Sequence, residues 1–337
     1  MRVLVTGAAG FIGSAVQRRL DAAGIASRAF DRALDHNDDI CTLDRVRAAT
    51  RGCDAIIHLA AKVGLGVSVA DLDDYVRHND LGTAVVLRAA AEAGVARVVY
   101  ASSMVIYGEG AYRCPVDGPT RPAPRRAADL AAGIFDPPCS RCGSTLAPEL
   151  VAEDAEPDPR NVYAATKLHG EHLAAAWSRE TDGVVAALRF HNVYGPGLPR
   201  DTPYAGVAAL FVSQVAAGRP AQVYEDGRQR RDFVHVDDVA AAVVAATRAE
   251  LPTGVTPLNI GSGTVTTIAE MATAITAVTD GPAPIVTGQY RLGDVRHVTA
   301  DSSRARHTLG WTPQVSLADG VAGLVNEQGG KTASSST

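Results

Sequence analysis

The sequence predicts an α/β protein built on a doubly wound parallel sheet, with a smaller C-terminal substrate-binding domain. Two observations lead to this fold class. Short β-branched runs alternate with alanine-rich helical stretches through the first half of the chain, as in βαβ units. The first of these runs leads directly into Gly7, Gly10 and Gly13 and then into an apolar helix. The length of 337 residues corresponds to about two domains.

The predicted elements follow in chain order. Strands are expected at five apolar runs: Arg2–Thr6, Ile25–Phe30, Ala55–Ala60, Arg97–Ala101 and Val184–Arg189. Such continuous apolar runs are typical of a parallel sheet that is covered on both faces. Helices are expected to begin near Ile12, Leu43, Asn79 and Val162, and Gly94 is placed to end the third of them.

Composition excludes several classes of function. Lys and Arg number 32 against 37 Asp and Glu, which gives a net charge of -5, and no basic tract is present, so nucleic acid is not an expected partner. No apolar run reaches the roughly 18 residues of a membrane span. The five cysteines are an odd number in a long chain and favour a reducing compartment. We therefore expect a soluble cytoplasmic protein.

The glycine segment predicts a dinucleotide site of the Rossmann type. Gly7 permits a tight turn, Gly10 lets the backbone approach a pyrophosphate, and Gly13 lets the helix pack close to the strand. The second predicted strand ends in Asp31, eighteen residues after Gly13, where a carboxylate can bind ribose hydroxyls. That carboxylate favours NAD over NADP because it would repel a 2′-phosphate. We interpret the adjacent Arg32 as a solvated charge.

The spacing Gly-x-x-Gly-x-x-Gly resembles that of the extended short-chain dehydrogenase/reductase family of nucleotide-sugar epimerases, dehydratases and reductases, and the resemblance runs from Arg2 to about Pro313. It implies that Asp39 and Ile40 meet the adenine, that the strand around His58 passes under the cofactor, and that Asn79 holds the central helix geometry. We interpret His58 itself as structural. The cofactor-binding residues that the pattern and the resemblance imply are Gly7, Gly10, Phe11, Ile12, Gly13, Asp31, Arg32, Asp39, Ile40, Leu59, Ala60, Ala61, Lys62, Asn79, Tyr163 and Lys167.

A catalytic triad is predicted from two segments. Tyr163 and Lys167 lie at i and i+4 on one face of a predicted helix, in a chain that contains only three lysines. A phenol is a poor base near neutral pH, but a neighbouring ammonium and a positive nicotinamide stabilise the phenolate. By resemblance to the family, the third member is Ser103, at the end of the fourth predicted strand, with Ser102 as a secondary hydrogen bonder.

The residues after Ser103 argue against elimination chemistry. Relatives that eliminate water carry an Asp-Glu pair there, and this chain has Met104 and Val105, which cannot transfer protons. Relatives that epimerise at C3 and C5 use a cysteine in this region, and none is present. Hydride chemistry without elimination remains.

The resemblance also places the sugar nucleotide. It implies diphosphate contacts from Asn192, Arg231 and Arg291, with Asp294 following the last of these and Ser103 contacting the sugar. Two arginines suit a diphosphate because each planar fork can bind two oxygens. For His191, a sugar contact and a packing role remain open.

An interruption at residues 109–159 predicts an inserted loop or small subdomain. Its Cys114-x-x-Asp117 and Cys139-x-x-Cys142 resemble a zinc ribbon with one carboxylate ligand, so structural Zn²⁺ is one hypothesis; inert cysteines and a lid over the sugar are the others. We assign 1–189 to the NAD-binding domain, to which 232–250 returns. We assign 190–231 and 251–325 to the nucleotide-sugar domain and 326–337 to a disordered tail.

Together these features imply an NAD-dependent nucleotide-sugar 4-epimerase. The insert resembles those of bacterial deoxyhexose 4-epimerases of the dTDP-L-rhamnose type, so a dTDP-deoxyhexose is the leading substrate, ahead of a UDP-hexose or UDP-uronate. An NAD(P)-dependent 4-ketosugar reductase shares every motif and stays open. The intact Tyr163 and Lys167 argue against a non-enzymatic NAD-sensing regulator. The resemblance also implies a homodimer.

Overall fold

A computed structural model describes residues 1–64, 69–199 and 206–332. The N-terminal part has βαβ order, as the alternation of apolar runs predicts. Short 3-10 turns cover Val69–Asp71 and Met104–Tyr107, and a π-helical turn covers Val76–Leu81. The helices and strands are β1 (Arg2–Thr6), α1 (Phe11–Ala22), β2 (Ala26–Phe30), α2 (Leu43–Thr50), β3 (Ala55–His58), α3 (Leu72–Tyr75), α4 (Gly82–Ala93) and β4 (Arg97–Ser103).

The predicted insert folds as a small antiparallel unit. Its elements are β5 (Ala111–Cys114), β6 (Gly118–Thr120), α5 (Ala127–Ala131) and β7 (Ala147–Glu149), and its sheet has the order β6-β5-β7. The three strands contain only three or four residues each. Strands this short give no periodicity that a sequence pattern could detect.

The remaining elements complete the main sheet and build the second lobe. They are α6 (Val162–Thr181), β8 (Val184–Phe190), β9 (Asn192–Tyr194), α7 (Val207–Ala216), β10 (Gln222–Val223), β11 (Arg230–His235), α8 (Val236–Ala246), β12 (Gly254–Ile260), β13 (Val265–Thr267), α9 (Ile268–Thr279), β14 (Ile285–Val286), β15 (His297–Val298), α10 (Ser303–Leu309) and α11 (Leu317–Thr332).

The central sheet is parallel throughout and has the strand order β12-β8-β4-β3-β1-β2. Apolar side chains alternate between its faces. Val3 and Val5 pack with α1 and α8 in one core, whereas Leu4 packs with α2, α4 and α6 in another. The predicted α/β fold is therefore confirmed, and the carboxyl ends of β1, β3 and β4 meet at one edge. Open parallel sheets bind ligands at this edge.

Two parts of the predicted domain division differ from the structure. Gly254–Ile260, assigned above to the nucleotide-sugar domain, forms β12 and pairs with β8 as the sixth strand of the central sheet. Pro257 concealed this strand, since proline is tolerated in a sheet mainly at an edge, and β12 is an edge strand. Within 232–250, helix α8 packs against α1, whereas residues 232–235 belong to β11, which pairs with β9 and β13 outside the central sheet.

The expected disordered tail is also revised. Helix α11 extends through Thr332, so the predicted tail from Asn326 is helical over its first part, and residues 333–337 lie outside the described residues. Val321 and Leu324 are fully buried in a core with α7 and α9, and this packing stabilises a helix that the Gly-rich composition disfavours. Among the described residues, no helix has the length and apolarity needed to cross a membrane.

Candidate active site

The glycine turn lies closely against the end of β3. Gly7 has a φ of +71°, and a Cβ on it would lie 2.7 Å from the backbone nitrogen of Ala60. A Cβ on Gly13 would lie 2.0 Å from the carbonyl oxygen of Gly7. Helix α1 therefore begins directly over the turn, with its first amide groups directed at the edge of the sheet. A helix start of this kind favours a phosphate group.

Asp31 closes the other side of this turn. Its carboxylate accepts hydrogen bonds from the backbone amides of Ala9, at 3.0 Å, and of Ala33, at 2.9 Å. These contacts fix the carboxylate beside the glycine turn at the end of β2. The Asp31 carboxylate therefore lies where it could accept hydrogen bonds from a ribose of a bound dinucleotide.

One cavity of about 690 Å³ runs along the carboxyl edge of the sheet. Its volume suits a large ligand. Its lining contains fifteen of the sixteen residues that the sequence assigns to the cofactor: Gly7, Gly10, Phe11, Ile12, Gly13, Asp31, Arg32, Asp39, Ile40, Leu59, Ala60, Ala61, Lys62, Tyr163 and Lys167. The turn without room for side chains, the fixed carboxylate and the cavity shape together fit a dinucleotide.

Asn79 is the sixteenth, and it lies behind the lining. It is buried in the π-helical turn before α4, and its side chain bonds the backbone nitrogen and oxygen of Lys62 at 2.7 and 3.0 Å and the Thr166 hydroxyl at 2.9 Å. Asn79 thus connects the loop after β3 to α6 and positions two lining segments.

The predicted triad meets at the same cavity. Ser103 ends β4, while Tyr163 and Lys167 lie on the first turns of α6, whose N-cap Asn161 accepts a hydrogen bond from the Ala164 amide at 2.9 Å. The Lys167 ammonium donates to the carbonyl of Ala101 at 2.7 Å and lies 5.8 Å from the centroid of the Tyr163 ring. All three triad residues line the cavity.

Burial shifts the pKa values of two triad residues in the protein alone. Burial raises the pKa of Tyr163 to about 12, although a hydrogen bond from Ser103 opposes the rise. Burial also lowers the pKa of Lys167 to about 8. Desolvation causes both shifts, because it disfavours the charged form of each group. The sequence-based expectation that the ammonium and a bound positive nicotinamide together stabilise the phenolate stays a prediction.

Ser102 has a different role from Ser103. Its hydroxyl donates to Glu171 at 2.5 Å, and Glu171 forms a buried ion pair with Arg189 at 2.8 Å. Arg189 also donates to the Tyr107 hydroxyl and to the Glu153 carbonyl, both at 2.8 Å. Ser102 is therefore engaged in a network that supports the ends of β4 and β8. Sequence reasoning missed this network because its members lie far apart in the chain.

The predicted substrate residues other than Ser103 do not line the main cavity. Arg231 donates to the carbonyls of Val295 and Arg296 at 2.7 and 2.9 Å. Arg291 is exposed and lies 5.4 Å from the ring of Tyr224 in a second, shallower pocket. Asp294 is partly buried, and burial raises its pKa. The structure therefore does not bring these groups together with the triad.

Two unpartnered polar groups lie beside the cavity. Within the described residues, both ring nitrogens of His191 and the side-chain oxygen of Asn192 have no hydrogen-bond partner. His191 lines the cavity, and burial lowers its pKa to about 3, so the ring is neutral. Buried polar atoms are normally paired, and these three atoms are exceptions in the protein alone. Sequence reasoning singled out both residues but could not show this.

Comparison with known proteins agrees with this geometry. The family model described as the NAD dependent epimerase/dehydratase family matches residues 3–128 and 142–261. The dTDP-L-rhamnose 4-epimerase of Burkholderia thailandensis is 37% identical over 96% of this chain and 93% of its own length. The chain belongs to this family. The family resemblance predicted from the glycine and Tyr-Lys motifs is confirmed.

Further relatives of this chain are 4-epimerases or proteins solved with UDP sugars and NAD. A UDP-glucose 4-epimerase of Mycolicibacterium smegmatis is 34% identical over 96% of this chain and 97% of its own length. The solved structure of MoeE5 in complex with UDP-glucose and NAD superposes with a TM-score of 0.79 at 32% identity, covering 98% of this chain and all of that one. MoeE5 has also been solved with UDP-glucuronic acid and NAD. The family model leaves out residues 129–141, which belong to the insert.

Proposed function

We propose that this enzyme is an NAD-dependent nucleotide-sugar 4-epimerase, with a dTDP-deoxyhexose as the leading substrate. The main support is that Ser103, Tyr163 and Lys167 line the same cavity as the glycine turn and Asp31. The 37% identity with a dTDP-L-rhamnose 4-epimerase supports the choice of sugar nucleotide. UDP-hexoses and UDP-uronates follow, because the relatives include a UDP-glucose 4-epimerase and MoeE5 bound to UDP sugars.

In this proposal Tyr163, as phenolate, removes the proton of the C4 hydroxyl, and Ser103 donates a hydrogen bond to the same oxygen. NAD⁺ held by the glycine turn and Asp31 would supply the hydride acceptor and donor for C4. The 4-keto sugar turns in the cavity before it is reduced, and Tyr163 returns the proton. Asn192, Arg231 and Arg291 are proposed to hold the diphosphate, with Asp294 beside them. Met104 and Val105 offer no acid or base for elimination.

We propose that the enzyme works in the cytoplasm as a homodimer and has no nucleic-acid partner. A Zn²⁺ ion at the cysteine cluster would stand outside the reaction, because hydride transfer to NAD⁺ needs no Lewis acid.

The experiment is proton NMR of the purified protein with a panel of dTDP and UDP sugars and only trace NAD⁺. Appearance of the C4 epimer of one panel member is the expected result and identifies the substrate. Turnover that occurs only with 4-keto sugars and stoichiometric NADH or NADPH would replace the epimerase with a 4-ketosugar reductase.

Cofactor selectivity gives a separate prediction for Asp31→Asn. Loss of the charged hydrogen bonds to the ribose is expected to weaken NAD⁺ binding by about 10- to 100-fold, since such bonds contribute roughly 1.5–3 kcal/mol. The preference for NAD⁺ over NADP⁺ should fall as well, because the repulsion of a 2′-phosphate is removed. Titration calorimetry with both dinucleotides measures the two effects. Asp21→Asn, an exposed change on α1, is the matched control and should bind as wild type; unchanged selectivity in Asp31→Asn would contradict this role.

A further inference from the structure

The insert gathers four metal-ligating side chains that the proposed reaction does not use. The ligand atoms of Cys114, Asp117, Cys139 and Cys142 all lie within 4.8 Å of one another. The Sγ atoms of Cys114 and Cys142 are 3.4 Å apart, and one Asp117 oxygen lies 3.5 Å from the Cys114 sulfur and 3.2 Å from the Cys139 sulfur. Tetrahedral Zn²⁺ with bonds of roughly 2.0–2.3 Å separates its ligand atoms by about 3.3–3.8 Å. The four atoms therefore already surround a position that such an ion fits.

The two ligand pairs lie on turns of the same construction. Each pair spans four residues and is followed by a glycine with positive φ, Gly118 at +72° and Gly143 at +75°. In the first turn the Val116 amide donates to the Cys114 sulfur at 3.4 Å. Two cysteines that merely fill a core need neither a repeated turn nor a left-handed glycine after it. The repetition is what a two-turn metal ribbon requires, because each turn must direct two ligands at one point.

The apolar core of the insert is small. The core around the cluster has four buried residues, Tyr112, Cys114, Cys139 and Leu146, of which two are ligand cysteines. The strands beside it are three or four residues long. A core of this size does not offset the entropy of ordering some thirty residues, whereas a structural metal does in small domains. A disulfide would require the sulfurs at about 2.05 Å, so the cysteines here are free thiols.

The chain between the two turns reaches residues 294–297, which follow the predicted diphosphate residue Arg291. The Arg125 side chain is 5 % exposed, pairs with Glu225 at 2.8 Å and donates to the Asp294 carbonyl at 2.5 Å. Asp136 accepts from the fully buried Arg296 at 2.9 Å and hydrogen-bonds the His297 ring at 3.0 Å. The carbonyl of Arg296 is one of those that hold the Arg231 guanidinium.

We propose that Cys114, Asp117, Cys139 and Cys142 bind one structural Zn²⁺ ion, which fixes the loop at 115–138 so that Arg125 and Asp136 support the segment at 294–297. On binding, the ion takes the place of the thiol protons, which pass to solvent, and no electron is transferred. The ion joins the two ends of the loop, and the loop in turn orders the residues around Arg231 and Asp294. The metal site thereby acts at a distance from the hydride chemistry.

The first test is metal content. Full-length protein with its affinity tag removed, prepared from zinc-supplemented cells, is expected to contain about one zinc per chain by plasma mass spectrometry. Cys139→Ser should retain about a tenth of that amount or less, while Cys53→Ala, a buried cysteine outside the cluster, should retain all of it. Wild-type protein that holds no zinc and takes up neither Zn²⁺ nor Co²⁺ after reduction would overturn the proposal, as would a disulfide among these cysteines in the protein as isolated.

A second variant keeps the test decisive if Cys139→Ser does not fold. Co²⁺ added to the metal-free wild type should give the thiolate-to-cobalt absorption and tetrahedral d–d bands of a three-thiolate site. Asp117→Cys should give a stronger charge-transfer band, because it adds a fourth thiolate. Equal charge-transfer bands in both proteins would remove Asp117 from the ligand set and overturn the proposed site.

A separate measurement tests whether the metal-bound loop at 115–138 stabilises residues 294–297. Hydrogen exchange of zinc-loaded and chelator-stripped protein should show faster exchange at 115–138 and at 294–297 after stripping, with the glycine turn at Gly7 to Gly13 unchanged. This comparison needs no substrate and does not depend on the proposed function. Faster exchange confined to the two turns would overturn the link between the metal and the segment at 294–297.

Discussion

Tyr163→Phe is expected to lower kcat by about 10²- to 10⁴-fold, the usual contribution of a positioned general base. The substitution removes only the phenolic oxygen, so the ring that lies 5.8 Å from the Lys167 ammonium keeps its place. KM and the content of bound NAD should change much less than kcat, because the Tyr163 ring and the other predicted cofactor residues of the cavity remain. The measurement is the initial rate of C4 epimer formation by NMR or coupled assay, with NAD content determined on the same preparation.

Tyr75→Phe is the matched control for this variant. Its ring lies 6.2 Å from that of Tyr163, and its hydroxyl donates to the Val63 carbonyl at 3.3 Å. The same chemical change one ring away should leave kcat within a few-fold of wild type. A Tyr163→Phe protein that retains full kcat would remove Tyr163 from the role of base. If both variants lost activity equally, the cause would be local packing and not proton transfer.

The sequence could predict the first half of the fold because its signals are local. The run into Gly7 leaves few alternatives, and the observed strand β1 has the predicted bounds. β12 was missed because Gly254 and Pro257 weaken its pattern, and its place depends on pairing with β8. The helical end of α11 was missed because it depends on burial of Val321 and Leu324 against distant helices. Both β12 and the end of α11 therefore depend on tertiary packing, which a local sequence pattern does not show.

The cavity also contains some residues that local sequence signals predict and others that only the folded structure reveals. Residues fixed by the glycine turn, by strand ends and by the i, i+4 spacing of Tyr163 and Lys167 could be found from the sequence, because the backbone alone places them. The buried pair of Glu171 and Arg189 could not be found, since an acid and a base at unrelated positions carry no pattern. The sequence also could not predict the pKa of Tyr163, because that pKa depends on how far the folded cavity excludes water from the phenol.

Lys167→Met is expected to reduce kcat/KM by about 10- to 1,000-fold, because a neighbouring positive charge stabilises an anion by roughly one to three pKa units. Tyr163 carries a pKa of about 12 in the protein alone, so ionisation of the phenol near neutral pH requires positive charge. Lys167 and the positively charged nicotinamide of bound NAD⁺ are the two sources. Removing the ammonium should leave the phenol largely protonated over the working range of pH.

The same lysine fixes the alkaline side of the pH profile. Burial lowers its pKa to about 8, so the ammonium is present below that pH and is lost as the pH rises through it. In the wild type, kcat/KM should therefore decline above about pH 8, and Lys167→Met should lose this descending limb along with most of its activity. Lys62→Met, which removes the other ammonium of the cavity wall, should keep the limb even where binding is weakened. A descending limb that persists unchanged in Lys167→Met would assign the titration to another group and leave Lys167 only the role of a hydrogen-bond donor to Ala101.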